Sequence, residues 1–272
     1  MPRGSETRRA RVDQRSRPAA VVGGVGAVLC VAAVVGAYLM LTDGSDRDTL
    51  HDTTTAAPPT TTTLSPGVSL IAQASVPQVH VYRNPSERTP SKTLANPWLL
   101  NGEADKPIPQ VFLVQRQRPD GWVEVLLPER PNGSTGWIRA DDVTLTQSPY
   151  RIKVSLSDHK ITVYEGTSRL YQGSVAVGTP STPTPTGTYY IRVLLQTLDP
   201  DSVYGPFAYG LSAHSDVLTE FNGGDAEVGI HGNNDASVLG RSVTSGCIRM
   251  DNVQITKLTR ILPLGTPVEI TA

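Results

Sequence analysis

A run of 24 uncharged residues, 19–42, divides the chain into two parts with different chemistry. At ~1.5 Å rise per residue, a helix of this length would cross a ~30 Å hydrocarbon core. All six arginines of the N-terminal segment precede the run, whereas Asp43, Asp46 and Asp48 follow it. The positive-inside rule therefore predicts a cytoplasmic tail at 1–18, a single transmembrane helix at 19–42 and an extracytoplasmic remainder.

A cleaved signal peptide is the alternative to this anchor. The apolar region of a signal peptide is normally only ~7–15 residues long and ends in a small-x-small site. No convincing site follows Tyr38, and Val28 and Leu29 before Cys30 do not suit lipoprotein processing. The sequence therefore favours an uncleaved anchor in the cell membrane.

Residues 43–67 are rich in Thr and Pro and contain almost no apolar side chains to bury. Such a segment cannot recover its ordering entropy, so we predict an extended linker that holds the rest of the chain away from the membrane. Beyond residue 42 the chain has 18 basic and 23 acidic residues. A net acidic body lacks the basic footprint that nucleic acid demands, so we expect no nucleic-acid partner.

The body is predicted to be mainly β. Gly and Pro together make up 46 of the 272 residues, and aromatic residues only 6%. In 68–147, alternating apolar residues and the turn sequences Pro119-Asp120-Gly121 and Pro131-Asn132-Gly133 predict short strands of a small barrel. The strands expected there are Gln78–Tyr82, Val111–Gln117, Gly121–Leu127 and Thr135–Arg139.

The passage GWVEVLLPERPNGSTGWIRADDV, with its paired Gly-Trp steps, resembles bacterial SH3-like domains. Trp122 and Trp137 in this passage either stack on a ligand or belong to the barrel core, and the core interpretation is favoured. The unit contains no cysteine, so we expect it to contribute no catalytic group.

Residues 148–272 are predicted to form a second, β-dominated unit with one helix. Strands are expected at 152–156, 161–163, 170–177, 188–194 and 228–231, with a closing strand at 267–271. Apolar residues at i, i+3 and i+7 predict a helix from Asn252 to Leu262, capped by Asp251 or Asn252 and stopped by Pro263.

Cys247 is the one cysteine outside the apolar run, and its neighbourhood favours chemistry. Small residues immediately before it allow backbone N–H groups to converge on an oxyanion. His231, sixteen residues upstream, ends an apolar strand, and a Cys–His pair within hydrogen-bond reach gives a thiolate–imidazolium nucleophile. The carbonyl of Gly232 is a candidate to orient the ring. By spacing alone the two residues could equally be ordinary core residues.

The stretch IHGNNDASVLGRSVTSGCIRMDN, followed by LGTPVEI, resembles the L,D-transpeptidase (YkuD-type) catalytic domain. The Thr-Pro run between Gly178 and Gly187 looks like the Gly–TPTG turn of that family. Many members have His directly before the Gly-Cys pair, where this chain has Ser245. The resemblance covers 150–271 and implies a YkuD-like β-sandwich that acts on peptidoglycan stem peptides.

The resemblance also implies residue roles. Cys247 would attack the bond between the diamino acid and D-Ala of a tetrapeptide stem, with His231 as the proton acceptor. Transfer to the amine of a neighbouring stem would give a 3→3 cross-link, and carbapenem β-lactams would be covalent inhibitors. Backbone N–H groups of Ser245, Gly246 and Cys247 would form the oxyanion hole, and Gly232 is assigned to the backbone around it.

Arg249 and Asn233 are the candidate substrate-binding residues. Arg249 could hold a substrate carboxylate bidentately, or form a structural ion pair with Asp251 or Asp235. Asn233 and Asn234 could also fix the turn after His231. His214 is expected to be a polar strand residue.

Two other functions stay open. One is a non-catalytic protein that only binds the cell wall, and the other is a related cysteine acyltransferase that attaches proteins or D-amino acids to the wall. A sortase or an NlpC-type peptidase fits less well, because the Cys motif or the order of Cys and His differs. No cofactor or metal is expected, since the five histidines show no ligand spacing and HExxH and CxxC are absent.

Overall fold

The computed structural model describes residues 64–100, 106–221 and 224–272. The predicted cytoplasmic tail, the predicted transmembrane helix and nearly all of the predicted linker lie outside these ranges. Within them, no helix is both long enough and apolar enough to span a membrane. The tail, anchor and linker therefore stay predictions.

The first half of the described chain is built from short strands. Five of them form an antiparallel sheet in the order β8-β7-β6-β1-β9, and two hairpins, β2-β3 and β4-β5, accompany it. The strands are β1 (Ser69–Ala74), β2 (Gln78–Val81), β3 (Lys92–Ala95), β4 (Trp98–Leu99), β5 (Pro107–Ile108), β6 (Val111–Gln117), β7 (Trp122–Leu126), β8 (Thr135–Arg139) and β9 (Val143–Ser148). We call this five-stranded assembly the first sheet.

The four strands predicted in this region are present, with bounds that differ by at most one residue. β1 and β9, which pair along their whole length, were not predicted, since β1 (SLIAQA) lacks a clean alternation of apolar and polar residues. Trp122 and Trp137 are buried, as the core interpretation requires. Arg139 stacks on the Trp122 ring at 3.8 Å from its centroid. The SH3-like assignment stays a prediction.

The second half forms an eight-stranded sheet in the order β12-β11-β10-β19-β14-β15-β16-β18, which we call the second sheet. Pairing is antiparallel except between β10 and β19 and between β16 and β18. Its elements, with the small β13-β17 pair, are β10 (Tyr150–Ser155), β11 (Lys160–Glu165), β12 (Ser168–Ser174), β13 (Val177–Gly178), β14 (Gly187–Gln196), β15 (Phe207–His214), β16 (Glu227–His231), β17 (Ser242–Thr244), β18 (Ile248–Arg249), α1 (Asn252–Leu258) and β19 (Pro267–Thr271). The prediction of a mainly β unit with one helix is confirmed for the described residues.

The second sheet curls around a single core. Ile161 on β11 and Ile230 on β16 lie far apart in the strand order, yet both belong to one buried apolar cluster. Ile255 and Leu258 of α1 pack into the same cluster. Strands from both ends of the second sheet therefore share one core, and the β-sandwich form stays a prediction.

Two predicted elements end earlier than the sequence indicated. The helix predicted to reach Leu262 ends at Leu258, and Leu262 closes a tight turn by donating its N–H to the Leu258 carbonyl. Asp251, not Asn252, caps it by accepting from the Gln254 N–H at 2.9 Å. The strand predicted at 170–177 stops at Ser174, because Ala176 pairs with Arg249 and Val177 with β17 instead of continuing along β11.

The two sheets meet through a small apolar cluster. Tyr190 on β14 is fully buried against Val111, Leu113 and Leu126 of the first sheet. The described residues belong to one compact unit. Polar contacts near residues 130–132 extend this junction toward the site described next.

Candidate active site

Cys247 and His231 are brought together by the parallel pairing of β16 with β18. Ile230 pairs with Ile248 and His231 with Arg249, so the thiol and the imidazole lie on neighbouring strands, with Cys247 just before β18. Because strand side chains alternate, Cys247, Arg249 and His231 project to the same face, while Ile230 and Ile248 enter the core. Both candidate catalytic side chains line one cavity of about 180 Å³.

The backbone before Cys247 needs a glycine. Gly246 has φ +115°, a conformation that residues with a side chain rarely adopt. The Thr244 hydroxyl accepts from the Gly246 N–H at 3.2 Å and donates to the Cys247 carbonyl at 2.6 Å. A tight loop therefore presents the thiol at the end of the strand.

The Thr-Pro turn between Gly178 and Gly187 hydrogen-bonds residues 244–247, which we call the nucleophile loop. Thr184 is buried, accepts from the Gly178 N–H at 2.9 Å and donates to the Gly246 carbonyl at 2.9 Å. Thr182 donates to the Thr244 carbonyl at 3.1 Å. The sequence had singled out this turn only as a motif, and the structure shows what it contacts.

The His231 ring is held in one tautomer. Its Nδ1 lies 2.7 Å from the Gly232 carbonyl oxygen, which can only accept, so Nδ1 carries the proton and Nε2 is left as the basic nitrogen. Tyr204 packs against the ring with centroids 4.9 Å apart. Burial lowers the pKa of His231 to about 4, and the positive charge of Arg249 acts in the same direction. At neutral pH the ring is therefore an uncharged base.

Burial acts on the thiol in the opposite direction. It raises the pKa of Cys247, although the main chain of Gly229 and the charge of Arg249 both favour the thiolate. Both pKa shifts favour a neutral thiol beside a neutral imidazole in the resting site. In the described part of the chain, no hydrogen bond joins the Cys247 sulfur to the His231 ring. Such contacts commonly tighten only when substrate binds.

Arg249 places a positive charge in the same cavity. Its Nε is buried without a hydrogen-bond partner. Of the carboxylates proposed as partners, Asp251 caps α1 and Asp235 accepts from the Ser237 N–H, and neither is within ion-pair distance of Arg249. The guanidinium therefore has hydrogen-bonding capacity left for a carboxylate that enters the cavity.

The residues assigned to the oxyanion site and its surroundings differ from one another in exposure and in whether their N–H groups are already hydrogen-bonded. Ser245 is exposed and lines the cavity. Gly246 is buried, and its N–H is already bound to Thr244. The Gly232 N–H donates to the Phe207 carbonyl at 3.2 Å, while its own carbonyl orients His231. The amides of Ser245 and Cys247 are thus the better placed donors.

Asn233 faces the protein interior. Its side-chain amide donates to the Met250 carbonyl at 2.6 Å, and its backbone N–H donates to Asn252 Oδ1 at 2.8 Å. Gly232 allows this approach, because a Cβ there would lie 2.3 Å from Asn252 Oδ1. Asn233 is not among the cavity-lining residues, so the structure supports turn fixation over substrate contact.

One side of the cavity was not foreseen from the sequence. It is formed by the segment between β15 and β16, through Ser215, Leu218, Phe221 and Ala226, which we call the cavity wall, and by Glu227 at the start of β16. His214, at the end of β15, is buried, and its Nε2 lies 3.2 Å from Asp225 Oδ2. The residues that line this side of the cavity follow no motif or spacing that would have indicated a site from the sequence.

Within 64–100, 106–221 and 224–272, no group of three or more His, Cys, Asp or Glu side chains is arranged to hold a metal ion. The chemistry available at this site is therefore that of a thiol, a base and a cation. The expectation that no cofactor is needed stays a prediction.

Comparison with known proteins locates a family match on the second half of the chain. Residues 149–270 match YkuD, the L,D-transpeptidase catalytic domain. Two curated YkuD proteins, whose names class them provisionally as L,D-transpeptidases, are similar: that of Bacillus licheniformis is 35% identical over 123 residues and that of Bacillus subtilis 33% over 122. In each case the match covers 45% of this chain and 66% of the relative.

Solved structures give a more distant likeness. L,D-transpeptidase 3 from Mycobacterium tuberculosis, in complex with a faropenem-derived adduct, is 16% identical. It matches 53% of this chain and 76% of its own, with a TM-score of 0.39. A second neighbour, an L,D-transpeptidase from Mycobacterium smegmatis, is 14% identical with the same TM-score, and the match covers 58% of this chain and 81% of that one.

Proposed function

We propose that this protein, whose residues 149–270 belong to the L,D-transpeptidase family of catalytic domains, cross-links peptidoglycan stem peptides through a thioester on Cys247. The observation that carries the proposal is the cavity where a half-buried thiol, an oriented imidazole and the Arg249 cation converge. A protein that only binds the wall has no need of this arrangement.

The first half-reaction breaks the bond between the diamino acid and D-Ala. Nε2 of His231 takes the thiol proton while the Cys247 sulfur attacks the carbonyl carbon of the diamino acid. The amides of Ser245 and Cys247 stabilise the oxyanion. When the C–N bond breaks, His231 returns the proton to the leaving D-Ala nitrogen, and the acyl group remains as a thioester.

The second half-reaction transfers the acyl group to an amine. His231 removes a proton from the attacking nitrogen, the new amide forms and the C–S bond breaks. The thiolate of Cys247 then recovers the proton from the ring. The side-chain amine of a second stem would give the 3→3 cross-link, a protein amine an attached protein, and a D-amino acid an exchanged stem.

Arg249 would bind a carboxylate of the stem peptide in this cavity. A guanidinium can form two parallel hydrogen bonds to a carboxylate, which would orient the donor stem relative to the thiol. We also propose that 19–42 anchors the protein in the cell membrane and that 43–67 holds the catalytic unit on the wall side. Peptidoglycan would then be the substrate within reach.

The test is incubation of the purified protein with a disaccharide-tetrapeptide and analysis of the products by mass. Cys30→Ser is the background, so that Cys247 is the single thiol. We expect release of D-Ala and a dimer linked between two third residues, neither of which forms with Cys247→Ala. Added D-amino acids or a lysine-bearing peptide measure the competing acceptors. Absence of D-Ala release with every acceptor would favour the wall-binding function.

Carbapenems offer a second, independent test. Their strained carbonyl should acylate the same thiol, which would add the mass of one whole drug molecule to the protein. The adduct should be absent in Cys247→Ala. An unchanged mass after long incubation with excess meropenem would contradict a cysteine nucleophile that reacts with acyl donors.

A further inference from the structure

The segment that forms the cavity wall is held only in part by its own backbone hydrogen bonds, which join Ser215 to Ala226 and Phe221 to Gly224. It connects β15 to β16 through the twelve residues between His214 and Glu227, whereas hairpin loops usually have ~2–5. Loop carbonyls still need hydrogen-bond partners. For three carbonyls of this segment, the hydrogen-bond donor is a residue from a turn of the first sheet.

Arg130, in the turn between β7 and β8, supplies those partners. Its guanidinium donates to the carbonyls of Ser215, Leu218 and Asp225, the last two at 2.9 and 3.1 Å. Its Nε also lies 3.6 Å from the Asp225 carboxylate. One side chain therefore joins both arms of the segment, since Ser215 and Leu218 follow β15 and Asp225 precedes β16.

Asn132 secures the start of the same segment. Its side chain accepts from the His214 N–H at 2.9 Å and donates to the His214 carbonyl at 2.7 Å, as a neighbouring strand would. The same amide donates to Asp216 at 3.0 Å. His214, which pairs with Glu227 in its own sheet, thus has a second set of backbone partners outside that sheet.

We infer that Arg130 and Asn132 are positioning residues for substrate recognition, through which the first sheet sets the shape of the cavity wall opposite Cys247. The inference rests on the proposed function, because the ligand that the wall would contact is the stem peptide. None of the described residues of the first sheet lines the cavity itself. Its contribution is therefore to peptide binding and not to the chemistry at the thiol.

The experiment compares Arg130→Ala with Arg118→Ala in the Cys30→Ser background. Arg118 is an exposed arginine of the same sheet that pairs with Asp120, so it controls for loss of one surface cation. For Arg130→Ala we expect KM for the tetrapeptide to rise about tenfold or more, with kcat within threefold of the parent. Alkylation of Cys247 by iodoacetamide should change less than twofold. Asn132→Asp, which cannot donate to the His214 carbonyl, should show a smaller rise in KM.

Hydrogen exchange provides the readout that does not depend on turnover. Amides of His214, Ser215 and Leu218 should exchange faster in Arg130→Ala and be unchanged in Arg118→Ala. An unchanged KM, or an equal loss of tetrapeptide turnover and alkylation together with a lower melting temperature, would overturn the inference. If the parent protein releases no D-Ala, the proposed function fails by itself. Unchanged exchange at these amides would then still refute the positioning role, and faster exchange would support it.

Discussion

The two sides of the cavity are held in different ways. Cys247, His231 and Arg249 lie on two strands of one sheet, and main-chain pairing between β16 and β18 fixes their relative positions. The cavity wall has a few backbone bonds of its own and is also hydrogen-bonded by Arg130 and Asn132, two side chains from the turn between β7 and β8. The reacting groups are thus set by the local fold, while the surface that would meet the substrate depends on contacts between the two sheets.

The largest effect is expected at the nucleophile, on the side of the cavity that strand pairing fixes. Cys247→Ala should abolish D-Ala release, a loss of at least about 10³-fold, because no other described side chain in the cavity can form the thioester. The melting temperature should stay close to that of the parent, since the main-chain ladder does not depend on the thiol. Circular dichroism and thermal melting check the fold of the same preparation. D-Ala release at the parental rate would remove Cys247 from the mechanism.

His231 tests whether the base is neutral at rest. His231→Gln should lower the rate of acylation by about 10²- to 10⁴-fold, since general-base assistance is lost. With a pKa of about 4, the ring of the native protein stays uncharged in mildly acidic buffer, so acylation of the parent should show no loss of base near pH 6. A rate that falls with an apparent pKa near 6.5 would contradict burial as the dominant effect.

The same pKa shift has a consequence for stability. Between pH 6.5 and 4 the unfolded chain binds a proton at His231 that the folded chain does not, so the free energy of unfolding must decrease as the pH falls. The contribution is present above pH 6.5 and amounts to about 3 kcal/mol lost by pH 4. Urea unfolding across this range should therefore be steeper in pH for the parent than for His231→Gln. Parallel curves would refute the shift.

The parts of the site differ in how far the sequence predicts them. The nucleophile loop is local: the Gly246-Cys247 pair, the strand that ends at His231 and the Thr-Pro turn are each contiguous, so their residue types and spacing carry the signal. The helix was predicted about one turn too long at its C-terminal end, because the apolar periodicity continued through Ile261 and Leu262 after the hydrogen bonds of Arg260 and Ile261 had tightened to i→i−3. The strand pattern located β6, β8 and β19 at their observed bounds.

What the sequence could not predict depends on contacts between distant residues. Arg130 is 85 positions from Ser215, and a Pro-Asn-Gly sequence beside it indicates only a turn. The direction of the pKa shifts of Cys247 and His231 could not be predicted either, since burial of both groups is a property of the folded cavity. Asn233 was offered as a substrate contact, and its partners, Met250 and Asn252, lie beyond the reach of local pattern analysis.

Arg249 lies on the side of the cavity that the pairing of β16 with β18 fixes, and a substitution there distinguishes a substrate-binding role from a structural one. Arg249→Lys keeps the charge and removes the planar fork, so a bidentate contact to the stem carboxylate is lost. At ~1.5–3 kcal/mol for a hydrogen bond to a charged group, turnover of tetrapeptide should fall about 10- to 100-fold. Acylation by meropenem, which lacks the extended peptide, should fall less. Equal losses with both substrates and a lower melting temperature would make Arg249 a structural residue.

The smallest effect on activity is expected at Thr184, whose side chain supports the side of the cavity that carries Cys247. Thr184→Val preserves shape but removes the hydroxyl that joins the Gly178 N–H to the Gly246 carbonyl, and it leaves two buried backbone groups without a partner. At ~1–3 kcal/mol for each unsatisfied group, the free energy of unfolding should fall by about 2–5 kcal/mol. We expect kcat to fall only a few-fold, because the pairing of β16 with β18 still places Cys247.

Thr186→Val is the matched control for this change. Thr186 lies in the same turn, its side chain is exposed, and the described contact of the residue is through its carbonyl, which accepts from the Tyr189 hydroxyl. The control should unfold at the parental urea concentration and turn over tetrapeptide at the parental rate. If Thr184→Val were as inactive as Cys247→Ala while remaining folded, strand pairing would not suffice to position the thiol. The nucleophile loop would then depend on a side-chain contact as strongly as the cavity wall does.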